Sequence, residues 1–186
     1  MAFRLLEQRP ISSLSDTSPK AQAAADAWPR ALRVCLERAD WGFARVIADL
    51  PEVNSATPGY LVDVDLSHGY SLPSDLVRIR KVGDGNICWR ADKDYLHADQ
   101  AGPLRIIYTA EVSDPARLPQ SFQVAVAYKL ATLMPELQTS RSKRQALIAD
   151  AADAMADALE ADRIDASPGR YDDRPEPGDW ASEAIL

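Results

Sequence analysis

The sequence predicts an α+β fold that is mainly helical: a bundle of three to four long helices with a small antiparallel β-meander inserted. Three observations carry this expectation. Alanine-rich apolar stripes at helical spacing occupy both ends of the chain. Between them lies a stretch in which apolar and polar residues alternate with a period of two. That stretch is punctuated by turn residues such as Gly83-Asp84-Gly85-Asn86 and Ala101-Gly102-Pro103.

The first 17 residues read as an irregular arm. Ser18-Pro19 then gives a capping serine followed by proline in the first helical turn. A helix is expected over about residues 18–47. Its stripe is Ala24, Trp28, Ala31, Cys35 and Ala39, at spacings of four, three, four and four. Asp26, Arg30, Arg33 and Glu37 fall mostly off that stripe. Pro29 should kink this helix without splitting it. Trp41 and Phe43 are large enough to pin the helix against the β unit.

Residues 51–59 form a loop by composition. The β-meander is expected over about 60–110, with three to five strands. Tyr60 to Leu66 alternates and reads as a strand. Leu76 to Val82 is the next, and the Gly83–Asn86 turn should return it as a hairpin through Ile87, Cys88, Trp89 and Arg90. Asp94 to His97 and Leu104 to Thr109 complete the set.

Two helices follow, over about 119–138 and 144–162. The first buries Phe122, Val126, Leu130, Leu133 and Leu137, and Pro135 ends or bends it. The second should bury Ile148, Ala152, Met155 and Leu159. Its opposite face carries Asp150, Asp153, Asp157 and Glu160. The basic run Arg141, Lys143 and Arg144 should form the connection between these two helices. Residues 1–166 are thus expected as one domain. Residues 167–186, rich in Pro, Gly and charge, read as a flexible C-terminal arm that ends in apolar residues.

The bulk numbers narrow the function classes. The chain has 186 residues, 46% hydrophobic and 26% charged, values ordinary for a globular protein. No apolar run has the length of a membrane span, so no membrane partner is expected. The N-terminus lacks the apolar core of a signal peptide, which predicts a chain that stays in a cytoplasm-like compartment. The net charge of −7 opposes tight non-specific wrapping of DNA. Cys35 and Cys88 are expected as two small buried hydrophobes, on a helix and a strand.

The sequence holds no nucleophile elbow, phosphate-binding loop or dinucleotide fingerprint. Asp63, Asp65 and His68 are the one grouping that a metal could use, and their pattern is looser than a usual ligand set. No catalytic, cofactor-binding or metal residue is therefore expected, and the chain does not read as an enzyme. The acidic face of the last helix reads first as a solvated surface. Its sharper reading is a lining that repels phosphates or meets a basic partner. Arg141, Lys143 and Arg144 form a candidate basic contact, and with it comes the alternative of a DNA-binding accessory protein.

Several segments, in order, carry a resemblance. They are Pro10-Ile11-Ser12-Ser13-Leu14-Ser15-Asp16, Trp41-Gly42-Phe43-Ala44, and Tyr70-Ser71-Leu72-Pro73-Ser74-Asp75. Tyr108, Asp114-Pro115, Leu118-Pro119, Phe122 and the Leu130-Ala131-Thr132-Leu133 helix follow. In this arrangement the chain resembles the head-tail adaptor proteins of tailed bacteriophages, which include the tail tubular protein A group and the adaptors of gene transfer agents. The likeness spans most of residues 10–162. It implies small helical bundles with a β insertion, without catalytic residues or cofactors. It implies a homo-oligomeric, twelve-membered ring below the portal, forming part of the DNA conduit at the head–tail interface of the virion. The implied partners are the portal protein and a tail or stopper protein. DNA passes through without being tightly held, and assembly takes place in the bacterial host cytoplasm. In this family a C-terminal arm docks on the portal, which makes Tyr171, Trp180, Ile185 and Leu186 the candidate anchor here. The short chain favours the long-tailed-phage or gene-transfer-agent type.

Overall fold

The computed structural model describes residues 1–54, 57, 60–137 and 140–166. Four helices occur among them: α1 (Ala2–Leu5), α2 (Pro19–Glu37), α3 (Gln120–Thr132) and α4 (Arg141–Ala166). Six strands lie between α2 and α3: β1 (Arg45–Leu50), β2 (His68–Ser71), β3 (Leu76–Val82), β4 (Trp89–Ala91), β5 (Tyr95–Ala98) and β6 (Leu104–Ala110).

This corrects the expected fold class. The fold is mixed α+β, 44% helix and 20% strand, and it is not a bundle of three to four long helices. The β unit is no meander either. It consists of two three-stranded antiparallel sheets, in the orders β1-β6-β3 and β2-β5-β4. Chain neighbours β3 and β4 lie in different sheets. Gly83 and Gly85 do make a turn, with φ of +52° and +102°, a backbone that glycine adopts without steric cost. That turn carries the chain from one sheet to the other rather than closing a hairpin.

The first sheet is held by long-range pairing. β1 runs antiparallel to β6 from Arg45↔Thr109 to Leu50↔Leu104. Asp49 and Arg105 stand directly opposite and form an exposed ion pair at 2.7 Å. The helix expected to reach residue 47 stops at Glu37, and the chain makes one 3-10 turn at Gly42–Ala44 before entering β1. Tyr60 to Leu66, despite its alternation, is not a strand. Alternation marks a strand only where a neighbouring edge can accept its backbone groups.

Two apolar cores result. One joins the sheets, through Leu50, Val82, Leu104, Ile106 and Tyr108 from the first and Tyr70, Leu96 and Ala98 from the second. The other joins the helices, through Leu32, Cys35, Leu36, Phe122, Val126, Leu130 and Ala158. Bulges in β3, between Leu76 and Arg78 and between Ile79 and Lys81, serve both. They leave Leu76 and Ile79 against the sheet core while Val77 joins the helical one.

The α2 stripe is buried as expected at Ala24, Ala31 and Cys35. The helix runs through Pro29 as one element. Trp41 and Phe43 do not pin α2 to the β unit as expected. Trp41 is fully buried on α3, its ring 4.8 Å from that of Phe122 in an edge-on contact, with Phe43 4.9 Å from the same ring. Its indole N–H donates to the Cys35 carbonyl at 2.9 Å, which also accepts the Arg38 backbone N–H at 3.3 Å where α2 ends. Cys88 is exposed and outside any strand, contrary to expectation.

α3 buries Phe122, Val126 and Leu130 but ends at Thr132, short of the expected residue 138; the partly buried Leu133 and Leu137 follow it, Leu137 in a 3-10 turn over Pro135–Leu137. α4 departs from its expected face. Its buried seam is Leu147, Ala154 and Ala158, flanked by Met155 and Leu159. Ile148 and Ala152 are exposed. The seam is rotated by about one residue because small alanines let α4 approach α3 closely, and Leu147 is better placed than Ile148 to meet it.

Candidate functional site

The candidate surfaces are best built from α4. Positions 150, 153, 157 and 160 recur at three, four and three residues, so their carboxylates share one helix face. All four side chains are exposed. Asp150, Asp153 and Asp157 border a groove of about 440 Å³ between α4 and α3, closed on the other side by Ser121, Val124 and Tyr128. Glu160 lies 3.6 Å from Arg163 in an exposed ion pair. The other three have no ion-pair partner among the described residues. This stripe repels phosphates and attracts cations.

The basic cluster sits differently from the expectation. Arg141, Lys143 and Arg144 are not a connection but the first turn of α4. Ser140 accepts the Lys143 backbone N–H through its hydroxyl at 3.2 Å. Lys143 is paired with Glu7 at 2.7 Å, an exposed contact that links the start of α4 to the residues just after α1. Arg141 and Arg144 remain exposed. Two guanidinium groups make a weak electrostatic footprint for DNA, whose affinity grows with the number of phosphates neutralised. The candidate anchor residues Tyr171, Trp180, Ile185 and Leu186 lie outside the described residues.

Asp63, Asp65 and His68 are drawn to separate partners. Asp63 accepts the backbone N–H groups of Asp65 and Leu66, at 2.9 and 3.2 Å, and pairs with Arg90 at 2.7 Å. Those backbone hydrogen bonds, with Arg90 adding, hold its carboxyl below the usual carboxylate range. His68 Nδ1 lies 2.7 Å from Glu52, whose carboxyl that contact also lowers. Among the described residues no group of three or more His, Cys, Asp or Glu could hold a metal ion.

Compared with known proteins, the chain matches no family model and no curated protein.

Two further features were not legible as sites in the sequence. One is a largely apolar groove of about 460 Å³ between α2 and α4. Val34, Cys35, Ile148, Ala152 and Met155 line it, and Arg38 and Lys129 stand among its lining. The Cys35 thiol is pushed up to about 12 by burial, so at neutral pH it remains protonated and unreactive. The other is the loop after Tyr60, where Leu61, Val62 and Val64 are 84%, 53% and 99% exposed. The available signals were an aliphatic residue on the outer side of each helix, Val34 and Ile148, and an alternating run that finds no strand to pair with.

Proposed function

We propose that this chain is a structural virion protein: a ring-forming adaptor that joins the portal of a phage-like capsid to the tail and lines part of the DNA conduit. The observation that carries the reading is the unpaired acidic stripe of Asp150, Asp153 and Asp157 along α4. α4 is 26 residues long, which at 1.5 Å per residue is about 39 Å of helix. A ring of such helices turned inward would present carboxylates to passing DNA, and like charge keeps the phosphate backbone from sticking. The ordered segments that resemble the adaptor family support the same reading. Tyr70, Asp75 and Tyr108 of those segments make side-chain hydrogen bonds in the β unit. Tyr108 donates to Asp75 at 3.1 Å and Tyr70 donates to the Gln100 carbonyl at 2.5 Å.

In this reading the partners are the portal above and a tail or stopper protein below. Residues 167–186 serve as the portal anchor. The test is electron microscopy of the chain mixed with the portal protein encoded beside it. A ring stacked on the portal, absent from either protein alone, is the expected result. No association overturns the reading. Removing residues 168–186 should leave the fold intact, since both described cores are built from residues before 160, and should weaken portal attachment.

A further inference from the structure

We propose that the aliphatic loop Leu61–Val64 of one copy seats in the α2–α4 groove of the next, making the head-to-tail contact of the ring. The inference rests on the ring reading above and supplies its subunit interface.

The loop is a fixed projection. Tyr60 and Leu66 at its two ends are buried at 6% and 8% exposure. Asp63, at its centre, turns inward: it accepts two backbone N–H groups and the Arg90 guanidinium. The aliphatic neighbours Leu61, Val62 and Val64 are left facing solvent. Three exposed aliphatic side chains on a preformed loop lose little entropy on docking, and such a patch marks an interaction surface.

The groove is its complement. It is lined mainly by aliphatic and small side chains, with Val34 and Ile148 open to solvent at 39% and 52%. Arg38 and Lys129 supply positive charge there, and neither has an ion-pair partner among the described residues. Asp65, next to the aliphatic loop residues, is exposed and likewise without an ion-pair partner. The charges therefore match as well as the apolar surfaces. The loop belongs to the β unit and the groove to the helical layer. Two different patches on one chain make a heterologous contact, which repeats head to tail and closes into a ring where the rotation allows. One loop in one groove buries little area, so two free chains associate weakly. Ring closure makes the last contact intramolecular and raises the avidity.

The test is disulfide trapping in a Cys88→Ser background, in which buried Cys35 is retained. Chains carrying Val64→Cys are mixed with chains carrying Ile148→Cys under mild oxidation. Both positions are exposed, so the fold is not at risk. A mixed dimer is expected in about tenfold excess over the product of Val64→Cys with a control Ile47→Cys chain, as local concentration dictates. Adding Leu61→Asp to the Val64→Cys chain should abolish that excess. A chain carrying both cysteines should give a ladder of multimers. Equal yields with the control, or a dominant Val64→Cys homodimer, overturn the inference. If rings still form on the portal in that case, the adaptor reading stands and only the interface falls.

Discussion

Asp162, near the end of α4, accepts the backbone N–H of Gly42 through both carboxylate oxygens, at 3.1 Å each. This one side chain ties the last helix to the turn where the chain leaves the helical layer for β1. Burial pushes its carboxyl up, and the Gly42 hydrogen bond opposes that only in part.

The pH dependence follows from that direction. A carboxyl raised in the fold binds its proton more tightly there than in the unfolded chain. Its contribution to stability is therefore full below the ordinary carboxylate value and is lost as pH rises through the raised one. Asp162→Asn keeps an oxygen for Gly42 and cannot ionise. Urea unfolding of both proteins at acid and neutral pH should show the variant gaining on the parent as pH rises. A constant difference between the two would refute the assignment.

Arg80 joins three elements. Its Nε donates to the fully buried Thr109 hydroxyl at 2.8 Å, and a terminal nitrogen donates to the carbonyls of Leu36 at 3.0 Å and of Ala39. It thus caps the end of α2 from β3. Arg80→Ala leaves those acceptors without their donor and should cost about 2–3 kcal/mol of unfolding free energy. Arg80→Lys should recover only part, since an ammonium lacks the planar fork.

Two tyrosines should respond oppositely to loss of their hydroxyls. Tyr70 donates to the Gln100 carbonyl, whereas the Tyr60 hydroxyl is buried with no hydrogen-bond partner among the described residues, as is His97 Nδ1 beside it. Tyr60→Phe should be neutral or raise stability by up to about 1 kcal/mol, and Tyr70→Phe should lower it by about 1 kcal/mol. Thermal melts of the two variants decide the order.

Charge reversal on α4 separates function from stability. Replacing Asp150, Asp153 and Asp157 by Lys should change unfolding free energy by about 0.5 kcal/mol or less per site, because all three are exposed. DNA binding that weakens steeply with salt should appear where the parent shows none. Particles assembled with the variant should release their DNA more slowly. Unchanged release would remove the acidic stripe from the conduit.

The helices were largely legible because their stripes are long. Ala24 to Cys35 and Phe122 to Leu130 each span several turns, and burial repeats at every one. The β unit was harder. Burial alternates along β1, but Val46-Ile47-Ala48 is a continuous apolar run that follows closely on the alanine-rich helix, so it reads as a continuation. His68-Gly69-Tyr70-Ser71 is too brief to show a period. The glycine turn after Val82 marks a reversal without specifying which strand lies beside which, since β3 pairs not with the next strand but with β6, from Leu76↔Ala110 to Val82↔Ile106. On α4 the acidic face was readable, but alanine at both 152 and 154 left the choice of seam to packing. The groove between α2 and α4 is lined by residues of three helices, α2, α3 and α4, and no local pattern encodes it.

The pairing of Arg45 with Thr109 has a consequence for how such a chain can change over time. The β unit begins and ends on adjacent strands, so its entry and exit points lie side by side where α2 hands over and α3 begins. Insertions are tolerated best where the two ends lie close together. The helical layer can therefore accept a longer, shorter or wholly different β cassette across that one junction, provided that Val77 and Arg80 are replaced by residues that dock equally well.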